Sequence, residues 1–290
     1  YTTAGGRRAE AGQHGFWDEY RNIFRLLDSL DLPADPLSGY AEQGQYSPKG
    51  LEAVWPVYRE AAQLPTGLGQ ALYTRFLNLS PLDLASAAPL VLAFSEFDDS
   101  PEAWARYDKV SFRDLCIRLG VSRRCYEEVF EPMILTGLFA PGDQCSAAAA
   151  LGMAYFFVLR QQTSFDVRWC RGNIGDMIFQ PWVEQMKARG VRFVTSTRAT
   201  GFQTTDGPGE AITGVRCTSG GEEATLPADK VVFAVGAAAL SGMVRSSPAL
   251  ARHPEFRRFA NLRGTSVLAT RLYLDRAVPT PYSANPCWGF

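Results

Sequence analysis

Lys230-Val231-Val232-Phe233-Ala234-Val235-Gly236 is a continuous apolar run that ends in small residues. Such runs belong to strands buried on both faces, as in parallel sheets covered by helices. This reading sets the fold class as α/β, with a ligand expected beyond the strand's carboxyl end at Ala234, Val235 and Gly236. Upstream, residues 212–217 and 223–226 flank Ser219-Gly220-Gly221, which is a hairpin signature. Val191-Arg192-Phe193-Val194 reads as a short strand, with Gly190 as the stop of the helix before it. That helix carries Ile174, Met177, Ile178, Trp182 and Met186 on one face and a predicted kink at Pro181. Downstream, 265–275 reads as another long strand.

Toward the start of the chain the pattern becomes helical. Gly5-Gly6 marks a hairpin turn, because glycine takes the positive φ that such turns need. Trp17, Tyr20, Phe24, Leu27 and Leu30 recur at helical spacing, which predicts a helix over 17–30 that Leu32-Pro33 stops. From about 50 to 165 the reading is helices punctuated by prolines. Asp99-Ser100-Pro101-Glu102 and Ser111-x-x-Asp114 look like helix starts, with a cap residue ahead of the first turn, and Gly120 ends the second helix.

The bulk properties narrow the function. With 46% hydrophobic and 20% charged residues the 290-residue chain can bury a real core, and a formal charge of −1 gives no electrostatic case for nucleic acid. The six cysteines never fall in a CxxC pair, and His14 and His253 are the only histidines, which argues against a zinc site. Scattered cysteines in a chain of this size read as buried thiols in a reducing compartment. The first residue is Tyr1, with no n-region or h-region behind it, so targeting information is expected to be absent or lost. The most apolar stretch, 147–159, is shorter than the ~20 residues of a membrane span.

A dinucleotide site needs a glycine-rich turn after a strand, and Gly67-Leu68-Gly69-Gln70-Ala71-Leu72 lacks both the third glycine and the strand. An ordered set of segments points elsewhere. Glu10-Ala11-Gly12-Gln13-His14-Gly15-Phe16-Trp17-Asp18-Glu19-Tyr20-Arg21-Asn22-Ile23-Phe24 opens it. Phe130-Glu131-Pro132, Gly137-Leu138-Phe139-Ala140-Pro141, Trp169-Cys170-Arg171-Gly172, Ile178-Phe179-Gln180-Pro181-Trp182 and 231–236 continue it. The set resembles the flavin-containing amine oxidase and carotenoid (phytoene) desaturase superfamily, most closely its plant, algal and cyanobacterial phytoene-desaturase-like proteins.

That resemblance implies an FAD-binding, Rossmann-like domain, incomplete here, with a largely helical and β-sheet substrate domain. The flavin-domain pieces are expected at 1–36 and 168–248, and the substrate-domain pieces at 37–167 and 249–290. Family members carry a glycine-rich turn ahead of the Glu-Ala-Gly segment and a Gly-Asp segment near the C-terminal end; neither is in this sequence. The expectation is a fragment inactive by itself. By position, Ala11, Gly12 and Gln13 match a backbone stretch that passes the flavin ring, Arg171 and Gly172 lie near that ring, and Ala199 meets the adenine end, with Ala234, Val235 and Gly236 completing the set.

The implied reaction is dehydrogenation of an apolar, carotenoid-like substrate with the flavin as electron acceptor. Such a substrate favours peripheral membrane contact, at a chloroplast or photosynthetic membrane in a plant or alga and on the cytoplasmic side in a bacterium. Oxidation of an amine or another small molecule on the same scaffold is the alternative enzyme reading, and a non-catalytic pigment-binding or assembly protein is the alternative outside enzymes. No catalytic side chain stands out. His14 is an acid–base candidate by its titration range, although a packed or capping histidine suits the pattern better. His253 reads as solvent-exposed, Asp98-Asp99 as a solvated helix start, and Trp17, Trp169 and Trp182 as core rather than cavity wall.

Overall fold

The computed structural model describes residues 2–65, 67–205 and 211–290. Contacts divide the chain into two compact units, 1–185 with 267–290 and 186–266. This is a division by contact and not by role; the flavin and substrate pieces set out above remain a proposal.

The first unit opens with the turn that Gly5-Gly6 predicts: Thr2 bridges Arg8, and Gly6 has φ of 76°. Strand β1 (Gly15–Trp17) and helix α1 (Arg21–Ser29) follow. The helix is shorter than its predicted span of 17–30, because Trp17 pairs in a strand and only the later apolar residues keep the helical period. Strands β2 (Gln43–Ser47) and β3 (Gly50–Trp55) then form a hairpin, and α2 (Leu68–Tyr73) leads to β4 (Arg75–Phe76), which pairs with β3. Strands β3 and β4 correct the helical reading of about 50–165. Their signal was Pro48-Lys49-Gly50, where Gly50 takes φ of 113° in the turn. Residues 283–288 run parallel beside β2, with Gly44 N donating to Ala284 O and Trp288 N to Tyr46 O, each at 3.0 Å.

Helices α3 (Pro81–Ser86), α4 (Ala88–Glu96), α5 (Pro101–Tyr107), α6 (Phe112–Arg118), α7 (Arg123–Cys125), α8 (Glu131–Leu138) and α9 (Ala147–Ala154) enclose the main core, which includes Leu90, Phe97, Phe112 and Leu151. Their starts follow the predicted caps. Ser100 Oγ accepts from Ala103 N at 3.2 Å, and Ser111 Oγ accepts from Asp114 N at 3.0 Å. Beyond α6, Gly120 turns left-handed at φ of 76°.

Strand β5 (Val167–Trp169) pairs antiparallel with β1, setting Gly15 opposite Trp169. A π-helical turn (Gly175–Phe179) then passes into α10 (Gln180–Ala188). Pro181, where a kink is expected from the sequence, lies in the first turn of α10 just after the π-helical turn, a place where its missing N–H is tolerated.

The second unit is an antiparallel meander of β6 (Arg198–Thr204), β7 (Ile212–Ser219) and β8 (Glu222–Pro227), followed by α11 (Ala237–Ser246), α12 (Pro248–Ala251) and α13 (Pro254–Phe259). The β7–β8 hairpin turns at Gly220 and Gly221, with φ of 59° and 90°, as its sequence predicts. Phe202, Val244 and Leu250 form the small core, against which Val231 and Phe233 pack. The predicted strands at 191–194, 230–236 and 265–275 are not strands. A strand exists only through its ladder with a neighbour, and among the described residues none pairs with these runs. Val232, meant for the middle of a buried sheet, is 90% exposed.

Cys116, Cys125, Cys145 and Cys217 are buried as expected, Cys170 is half-buried, and Cys287 corrects the reading by being exposed. Burial pushes the Cys116 thiol from its ordinary 9.0 up to about 12, and the Cys125 thiol up to about 11. Both stay protonated in the folded chain under conditions that ionise them in the unfolded one. Their contribution to stability is therefore whole below pH 9 and is lost as the pH climbs through 9 toward 12. Urea midpoints measured from pH 8 to 11 should fall above 9, and Cys116→Ala should flatten that fall. A thiol reagent at neutral pH should meanwhile reach Cys287 first.

Candidate cofactor site

Glu10 gathers the first part of the site. Its carboxylate, whose side chain is 11% exposed, accepts from Ile174 N at 3.0 Å through Oε2 and from Arg271 Nη2 at 3.0 Å through Oε1. An anion suits that place, since Ile174 N belongs to the free amides that open a helix. Arg271 also reaches Gly12 O at 3.4 Å, and Tyr273 Oη donates to Arg8 O at 2.6 Å. Arg8 forms a bidentate pair with Asp176, at 2.6 and 3.1 Å. The predicted Ala11-Gly12-Gln13 stretch is thus tied to the turn that holds Arg171 and Gly172, where Cys170 N donates to His14 O at 3.0 Å.

Gly12 has φ of 98°, and nothing lies within 4 Å of the place a Cβ would occupy. Ala11 and Gln13 beside it are exposed. Arg171 lies at the predicted strand-to-helix junction. Its side chain is committed to the fold, with Nε donating to Leu37 O at 2.6 Å.

A second charged cluster fixes β1 and β5 from behind. Asp166, whose side chain is fully buried, accepts from Tyr58 N at 2.7 Å, Arg59 N at 3.1 Å and Arg59 Nε at 2.9 Å. Arg59 continues to Asp18 at 2.6 Å and lies over the Tyr40 ring at 3.6 Å. Thr163 donates to Asp18, while Ser164 and Gln161 donate to the buried Glu19. Trp17 sits edge-on to Trp169 at 6.0 Å and packs on Phe157, which supports the core reading of both, whereas Trp182 stacks on Phe179.

In the second unit Ala199 lies on β6 and lines a cleft of about 560 Å³, walled by Arg198, Gly201, Ala239, Gly242 and Met243. Ala234, Val235 and Gly236 are exposed and lead directly into α11, which Gly236 caps in an extended conformation. Sequence reasoning missed Glu10 as a hub and Arg271 altogether. Glu10 was visible only as part of a motif, and no local pattern links it to a residue so far along the chain.

A family model described as flavin containing amine oxidoreductase matches residues 2–284. The chain belongs to the flavin-containing amine oxidoreductase family. Solved structures agree on the fold. The chain is similar to a double mutant of putrescine oxidase, with 16% identity and a TM-score of 0.55, over 84% of this chain and 50% of that one. It is likewise similar to wild-type putrescine oxidase bound to putrescine, with 16% identity and a TM-score of 0.53, over the same shares. The chain therefore spans about half the length of the solved structures it matches. No curated protein matches it. Family and fold are those of flavoenzymes, and the cofactor is FAD, as the motifs implied.

The residues present fit such a cofactor in part. The open, positive-φ backbone at Gly12 and the open position at Gly236 are places where a flat group can approach the main chain without meeting a side chain. Among the described residues no helix is long and apolar enough to cross a membrane.

Proposed function

We propose that this chain forms part of an FAD-dependent oxidoreductase in which Ala11, Gly12 and Gln13, with Arg171 and Gly172, lie at the flavin ring, Ala199 lies at the adenine end, and Ala234, Val235 and Gly236 are further cofactor-binding positions. The observation that carries the reading is the Glu10 junction within a chain matched to the family from 2 to 284. Bound flavin supplies the two-electron acceptor. The chain's own residues hold the Gly12 backbone open, fix its carbonyl through Arg271 and tie it to the β5 side.

Two substrate classes follow from different observations. Amine oxidation is favoured by the family and by fold neighbours that include a putrescine-bound oxidase. Desaturation of a carotenoid-like polyene, with contact at a membrane surface, is favoured by the ordered motifs from Glu10 to Gly236.

The protein expressed from its natural start to its natural stop should show flavin absorption bands that persist through gel filtration. Anaerobic addition of diamines or of polyene precursors should then bleach the bands with one class only. A colourless protein that takes up no added FAD overturns the oxidoreductase reading, and carotenoid absorption without flavin supports a pigment-binding protein instead.

A further inference from the structure

His14 sits two residues after the open backbone of Gly12. Its Nδ1 is buried without a hydrogen-bond partner, 3.5 Å from Glu10 Oε2. The ring as a whole is 39% exposed, so the buried edge is the Nδ1 edge. Among the described residues no hydrogen bond engages Nε2, and it is not among the buried unpartnered atoms, so it meets the open side. Glu10 cannot turn away, since Ile174 N and Arg271 hold its two oxygens. Buried polar atoms are rarely left unpaired, and Glu10 Oε2 is a carboxylate oxygen within reach of Nδ1 at 3.5 Å. Hydrogen bonds of this kind are often long when no substrate is bound.

We infer that His14 is the proton acceptor of the reaction and that Glu10 is the residue positioning it. The carboxylate holds the neutral imidazole with its proton on Nδ1, which leaves the Nε2 lone pair free on the side where the flavin and substrate are proposed. This inference rests on the proposed function. Dehydrogenation of a C–H/N–H or C–H/C–H pair delivers one hydrogen with the electron pair to the oxidised flavin and releases the other as a proton. His14 Nε2 takes that proton. The new π-bond forms between the two substrate atoms, for which bound flavin would supply the two-electron acceptor. The same assignment serves the amine and the polyene.

Nitrogen NMR of histidine-labelled protein tests the pair without any turnover. The exposed His253 is removed as His253→Gln, and the His14 signal is the one that disappears in His14→Gln. The expected neutral form carries its proton on Nδ1, whereas free imidazole side chains favour Nε2–H. An Nε2–H tautomer overturns the proposal, whatever the substrate. In the flavin-loaded full-length protein, His14→Gln should slow anaerobic flavin reduction by roughly 10²–10⁴-fold while leaving flavin content and bands unchanged. His253→Gln should leave the rate unchanged. An unchanged rate in His14→Gln overturns the role even if the tautomer is as expected. A wild-type protein that takes up no flavin overturns the functional reading and this role with it.

Discussion

Replacing Asp166 with alanine should destabilise the protein by about 3 kcal/mol, the lower end of what breaking a buried ion pair removes. Three donors lose their acceptor at once: the amides of Tyr58 and Arg59 and the Arg59 Nε. Each orphaned buried donor costs about 1–3 kcal/mol when nothing replaces its partner. The loss stays at the lower end because Asp18 remains 2.6 Å from Arg59 and keeps the guanidinium paired. Burial holds the Asp166 carboxyl above the ordinary carboxylate range, against the pull of the Arg59 hydrogen bond and the two amides. Asp166→Asn retains one acceptor oxygen and should lose clearly less. Urea denaturation of the three proteins checks the order; equal stability of wild type and Asp166→Ala would show that the cluster contributes nothing net.

Gly12→Val should weaken flavin uptake, raising the dissociation constant by tenfold or more, roughly 1.4 kcal/mol. Two effects act together. A β-branched residue at φ of 98° is strained by about 1–3 kcal/mol. Its side chain also projects into space that no other group of the protein occupies. Gly6→Val separates the two. Gly6 has φ of 76° with the same open surroundings, but it lies in the terminal turn and outside the proposed site. Both variants should lose comparable stability, and only the Gly12 variant should lose flavin on gel filtration. Loss from both would trace the effect to strain, and loss from neither would remove Gly12 from the site.

Much of the local structure was legible because its causes are local. The caps at Ser100 and Ser111 need only a hydroxyl and three residues of spacing, and the β7–β8 turn needs only Gly220 and Gly221. The family was legible for another reason: many short segments, each weak alone, occur in one order. What failed was whatever depends on a distant partner. The run 230–236 has every property of a buried strand, yet a strand's hydrogen bonds lie with its neighbour, and none of the described residues supplies one. Strand β3, the second arm of the β2–β3 hairpin, was hidden inside a block judged by its prolines. Of the site, the Gly12 segment could be read from small residues and motif order. The contact of Glu10 with Arg271 could not, because no periodicity connects residues 261 positions apart.

The parallel pairing of 283–288 with β2 also bears on how the chain is made. Its hydrogen bonds join residues 42–46 to residues that leave the ribosome last among those described here. Contacts of such long sequence separation close late, since the entropy of the intervening loop is spent before any pairing returns it. The sheet's edge at β2 therefore stays open until residues 283–288 have been made, with Gly44 N and Tyr46 N lacking these acceptors. An unpaired strand edge is a template for other chains. Until residues 283–288 arrive, the nascent chain is open to aggregation along this edge, and a holding chaperone acts best in that interval.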